Sequence, residues 1–133
     1  MRRALVAVLF IAVATPAIAH ALTAAEGKAI FFGYDMNGVI EGTKTRWREC
    51  VNPNGTTAYW VEGDIRKGFL RIRDDGALCF SYPDPQHAAE DCFFAAKKGA
   101  GWRFTYEQEG GDTFIATSVK KVAKCPGPDT PVS

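Results

Sequence analysis

The side chains able to do covalent or acid–base chemistry are few. Once the expected leader described below is removed, His87 is the only histidine, and serine occurs only at Ser81, Ser118 and Ser133. A serine–histidine–acid triad would need His87 to meet Ser81 or Ser118, and neither serine sits in a Gly-x-Ser-x-Gly turn that would present its hydroxyl. Glu107 with Glu109, and Asp74 with Asp75, are paired carboxylates, but a strand exit and a turn are where solvated carboxylates are expected. The inventory reads as a protein that is not an enzyme.

Metal chemistry has two candidate sets. Asp84, His87, Glu90 and Asp91 lie in one polar loop, where a single helical turn would converge an imidazole and carboxylates on a divalent ion. The plainer reading is a solvated loop, so no metal and no other cofactor is expected. A cut after Ala19 would leave His20 at the N-terminus, offering amine and imidazole to copper, with His87 as the only second imidazole. Four cysteines, Cys50, Cys79, Cys92 and Cys125, form no C-x-x-C pair and have no histidine at ligand spacing. They read as two disulfides, and on the residues alone all three pairings stay open.

Binding chemistry is better represented. Arg46 and Arg48 flank Trp47, while Arg71 and Arg73 alternate with Leu70 and Ile72, giving each segment one basic face if it is extended. Four guanidinium groups on one face of one sheet would attract an anionic ligand or an acidic partner. A solvated outer face balanced by Glu49 and Glu62 is the simpler alternative. Trp47, Trp60 and Trp102 are expected in a core or lining a barrel, where a lumen would offer an apolar site.

The elements that must position these groups follow from local pattern. Arg2 and Arg3, the apolar stretch Ala4 to Ala14, Pro16 and small residues after it read as a cleavable secretory leader over residues 1–21, too short for a stable membrane anchor. Cleavage is expected after Ala21, with Ala19 the competing site. The remaining 112 residues, 22–133, form one β-rich domain with a Pro-rich tail. Loss of the two leader arginines brings 16 basic residues to 14 against 15 acidic ones, so no basic excess exists to drive nucleic-acid binding.

Thr23-Ala24-Ala25-Glu26 is a capping box that starts one short helix, which Gly33 can end. After it the period becomes two. Residues 44–62 read as a hairpin around Asn52-Pro53-Asn54-Gly55, and Leu70 to Tyr82 as another around Asp74-Asp75-Gly76. Pro83 to Asp91 is a polar loop. Cys92 to Lys98, Trp102 to Glu107 and Thr113 to Val122 complete six or seven strands. With no second helix for a crossover, the expectation is a mainly β, antiparallel meander closed or half-closed into a small barrel, a two-sheet sandwich being the alternative.

The runs Leu22-Thr23-Ala24-Ala25-Glu26, Phe32-Gly33, Asn54-Gly55-Thr56, Gly68-Phe69-Leu70, Asp75-Gly76-Ala77-Leu78-Cys79 and Cys92-Phe93 together resemble domain-of-unknown-function family 995, small exported bacterial proteins. The match is divergent, since the family usually has Trp where Leu70 stands and another Trp near Tyr82. The resemblance implies that Cys79 and Cys92 pair, leaving Cys50 with Cys125, and it implies no activity. The expected role is an exported, non-catalytic binding or interaction module of the bacterial envelope, periplasmic or secreted and monomeric. Its partner would be a small ligand in the barrel or an envelope protein. The alternatives are an inhibitor of a secreted enzyme, with the Pro83 to Asp91 loop inserted in its cleft, and a small metal-binding or enzymatic barrel.

Overall fold

The computed structural model describes residues 20–83 and 89–127, so residues 1–19 of the expected leader, Asp84, His87 and the end of the Pro-rich tail lie outside the described residues. Helix α1 (Ala24–Phe31) begins at the capping box: Glu26 N–H donates to Thr23 Oγ1 at 3.2 Å, and Thr23 N–H donates to Glu26 Oε2 at 2.7 Å. These two bonds satisfy N-terminal donors that an eight-residue helix cannot pair internally.

Eight strands follow: β1 (Tyr34–Ile40), β2 (Arg46–Val51), β3 (Thr56–Val61), β4 (Asp64–Ile72), β5 (Leu78–Ser81), β6 (Asp91–Lys98), β7 (Gly101–Tyr106) and β8 (Thr113–Lys121). Each pairs antiparallel with the next, and β1 pairs with β8, so the sheet is a closed barrel without free edges. The sandwich is not formed. The strand beyond the expected set is β1, whose Asp35, Asn37 and Gly38 hide its pattern. Gly38 lies at a register shift against β8, so close that a Cβ there would overlap the Ile115 carbonyl oxygen. The second hairpin also starts earlier than expected, because Glu62 (φ 49°) and Gly63 (φ 87°) make a tight left-handed turn directly into Asp64.

Helix α1 closes the end of the barrel where the odd-numbered strands begin. Phe31, wholly buried, sets its ring 5.1 Å from that of Trp102 and 5.5 Å from that of Phe104. Leu78, Leu70 and Ile72 complete the core at this end. At the same end the Asp74-Asp75-Gly76 turn packs under the chain entering the helix. Gly76 has φ 86°, and a Cβ there would overlap the Leu22 carbonyl oxygen.

Both disulfides lie outside the barrel wall. Cys79 and Cys92 stand directly opposite on β5 and β6, with Cα atoms 4.0 Å apart, and Cys50 on β2 holds Cys125 of the C-terminal segment. Asn52 Oδ1 accepts the Cys125 N–H at 2.8 Å, which fixes that segment beside the first hairpin. Two disulfides fit an oxidising compartment. No helix among the described residues is long and apolar enough to cross a membrane.

Candidate functional site: the barrel lumen

Strand register assigns each side chain to the lumen or the outer wall. On β2, Trp47, Glu49 and Val51 face inward, while Arg46, Arg48 and Cys50 face outward. The register carries this across the wall, since Met36 and Tyr59 both stand opposite Glu49. Toward the end away from α1 the lumen is not filled. A cavity of about 180 Å³ remains there, lined on one side by Met36, Trp47, Glu49 and Tyr59, and on the other by Phe80, Tyr82, Phe93, Phe104 and Phe114. Arg66 and Asp91, both exposed, stand at its mouth. The wall rings interlock edge to face: Phe114 lies 5.6 Å from Trp47 and 5.5 Å from Phe93. Tyr82 stacks parallel to Phe80 at 6.3 Å.

Glu49 is the unusual group in this chamber. It is only 4% exposed, and its Oε2 accepts the Tyr82 hydroxyl at 2.6 Å, while its Oε1 is buried with no hydrogen-bond partner. The indole N–H of Trp47, two residues earlier on the same face, is also buried and unpaired. Burial drives the Glu49 carboxyl well above the usual carboxylate range, and only the Tyr82 hydrogen bond opposes it. The Tyr82 phenol is raised by burial and then by the neighbouring Glu49, and Tyr59 is raised by the same two causes. The chamber therefore holds a carboxyl whose protonated form is favoured by burial, and two phenols held neutral, among apolar rings.

The residues that the sequence put forward are dispersed. Arg46, Arg48, Arg71 and Arg73 all face outward, but β3 lies between their strands. Arg48 is level with Ile65 at the start of β4, whereas Arg71 and Arg73 lie at and beyond the far end of that strand. No four-arginine patch forms. Arg48 binds Asp35 bidentately at 2.6 and 2.9 Å and covers the Trp60 ring, 5.0 Å from its centroid. Arg71 is paired with Glu90, and Arg73 with Asp75 and Glu107, each at 2.5 Å. Arg46 is exposed. Trp60 consequently belongs to the outer wall, whereas Trp47 lines the lumen and Trp102 packs on the helix.

The acidic loop set also divides. Glu90 turns outward to Arg71, and Asp91 accepts the Tyr106 hydroxyl at the mouth. Glu90 also comes near Cys79 and Cys92 at metal-ligand distances, but those sulfurs are joined in a disulfide and offer no thiolate.

Glu49 was assigned by sequence to a solvated outer face, and the structure corrects this. The signal was present: with period two, Glu49 shares a face with Trp47 and Val51, opposite to Arg46 and Arg48. No family model, curated protein or solved structure matches the chain. The class of protein is therefore defined by its own architecture, an eight-stranded antiparallel barrel plugged at one end by a helix and hollow at the other.

Proposed function

We propose that the chain is an exported, non-catalytic binding protein that holds one small organic molecule in the open half of its barrel. The observation that carries this reading is Glu49, a carboxyl buried in an aromatic chamber with one oxygen unpaired. A buried polar atom without a partner costs about 1–3 kcal/mol, and a ligand that bonds it recovers that cost. Eight-stranded barrels are just wide enough to be filled by their own side chains or to hold one small ligand. The α1 end follows the first pattern and the Glu49 end the second. A chamber of about 180 Å³ compares with the roughly 150 Å³ apolar cavity that accepts benzene, so the ligand is of single-ring size with a polar end.

Export rests on the leader over residues 1–21 together with the disulfides, and the resemblance to family 995 agrees with it. Purification of the exported form should give a mass corresponding to a chain starting at Leu22.

Trp47 lies in the chamber wall, so ligand entry should change tryptophan emission. Titration with single-ring alcohols, amines, amides and acids is expected to give a saturable one-to-one change with at least one class. Phe114→Ala, which removes a wall ring, should admit two-ring analogues that the native chain refuses. If no single-ring compound alters emission or thermal stability, the lumen reading falls.

A further inference from the structure

Resting on the lumen reading, we propose that the ligand is a small organic ammonium, held with the Glu49 carboxylate as counter-ion inside a cage formed by Trp47, Tyr59, Phe80, Tyr82 and Phe93. Among the described residues Glu49 is the one carboxyl that lines the chamber from a buried position, and its Oε1 is unpaired. The lining groups from the other strands are the neutral phenols of Tyr59 on β3 and Tyr82 after β5, with Arg66 of β4 and Asp91 of β6 at the mouth. Strands β1, β7 and β8 contribute only Met36, Phe104 and Phe114.

Aromatic faces carry negative potential, so a ring-walled chamber attracts cations and repels anions. The mouth has the same bias: Asp91 lines it, Glu62 and Asp112 lie close enough to raise the Tyr59 phenol, and among the described residues Arg66 opposes them. A buried carboxyl next to several ring faces provides both attractions that an ammonium uses, charge pairing and cation–π contact. A neutral alcohol would use only the hydrogen bond. A carboxylate ligand would face ring electrons and the acidic side chains of Glu49 and Asp91.

Without ligand, burial favours the protonated form of Glu49. A permanently charged ammonium is neutralised only by the carboxylate, so Glu49 gives one proton to solvent for each cation bound. A primary amine arriving as free base takes that proton itself and leaves the same ion pair. The affinity for a quaternary ammonium therefore rises about tenfold per pH unit above the ordinary carboxylate range until Glu49 ionises unaided, and then levels off.

The test uses the oxidised full-length mature chain with benzylammonium, benzyl alcohol, benzoate and phenyltrimethylammonium, read by tryptophan emission and by calorimetry in two buffers of different ionisation enthalpy. Benzylammonium should bind about tenfold or more tightly than benzyl alcohol at pH 7, with benzoate weakest. Glu49→Gln should remove that preference. Calorimetry should count about one proton released per phenyltrimethylammonium bound at about pH 5, just above the ordinary carboxylate value, a measurement on the native chain that does not depend on the variant folding. Alcohol or benzoate binding as tightly as the ammonium, a preference that persists in Glu49→Gln, or a proton count of zero would overturn the ammonium assignment and leave the lumen reading standing. Failure of all four probes to bind overturns both.

Discussion

Replacing Glu49 by Gln should make the protein more stable at neutral pH, against the usual outcome for a buried substitution. The carboxyl has an ordinary value of 4.5, and in the folded barrel it is raised well above that by burial. Between the two values the folded state holds a proton that the unfolded state has released. Stability from this group is thus complete below about pH 4.5 and is lost as pH rises toward the folded value, with a slope of about 1.4 kcal/mol per pH unit. Each pH unit crossed in this window therefore removes a sizeable share of the stability of a small domain. Gln keeps the shape and an acceptor for the Tyr82 hydroxyl, but it cannot ionise in either state. Carboxyls such as Asp75 and Glu90, lowered by Arg73 and Arg71 respectively, act with opposite sign and below this window. Urea unfolding of both chains at pH 5, 6 and 7, followed by tryptophan emission, isolates the group. The native chain should lose stability steadily relative to Glu49→Gln. Parallel pH profiles for the two would show that Glu49 is solvated or paired, and the account of the chamber would fail with it.

Removal of the Cys50–Cys125 bond, which closes a loop of 75 residues, should cost more than removal of Cys79–Cys92, which closes 13. Chain-entropy estimates are about 4.5 and about 3 kcal/mol, measurable by denaturant unfolding of the Cys→Ser pairs. Phe31→Ala would leave a hole between α1 and Trp102 and lower stability by about 4 kcal/mol in the same assay, while ligand binding at the opposite end persists wherever the chain remains folded. Arg48→Met should cost about 2 kcal/mol, because it strands a half-buried Asp35 carboxylate and uncovers Trp60. Arg71→Gln, by contrast, should leave the thermal midpoint unchanged within error, its ion pair being solvated.

Local chemistry was legible in the sequence. The capping box at Thr23 and Glu26, the Asn-Gly and Asp-Gly turns, and the alternation in Leu70 to Tyr82 each depend on neighbours a few residues away, so they could be read before any fold was known. A closed barrel followed as the economical solution for a meander without crossovers. Strand β1 escaped because its pattern is made by partners distant in the chain: Gly38 is placed by its approach to Ala116 on β8, a contact no local rule encodes. The four arginines show the converse failure. Alternation correctly set them on an outer wall, but position along the barrel axis depends on register between strands, and register placed the pairs at different levels with separate acidic partners.

The sequence by itself determined a helix start, the hairpin turns and a face for most side chains, because each is set by short-range sterics, hydrogen bonding or two-residue period. Tertiary structure decided which end of the barrel is plugged, which cysteines meet, and that Glu49 sits in the unfilled half with an oxygen unpaired. Those depend on closure. Bringing β1 to β8 converts one face of a sheet into an interior, and only the volumes of side chains drawn from all eight strands determine where that interior is full and where it leaves a cavity.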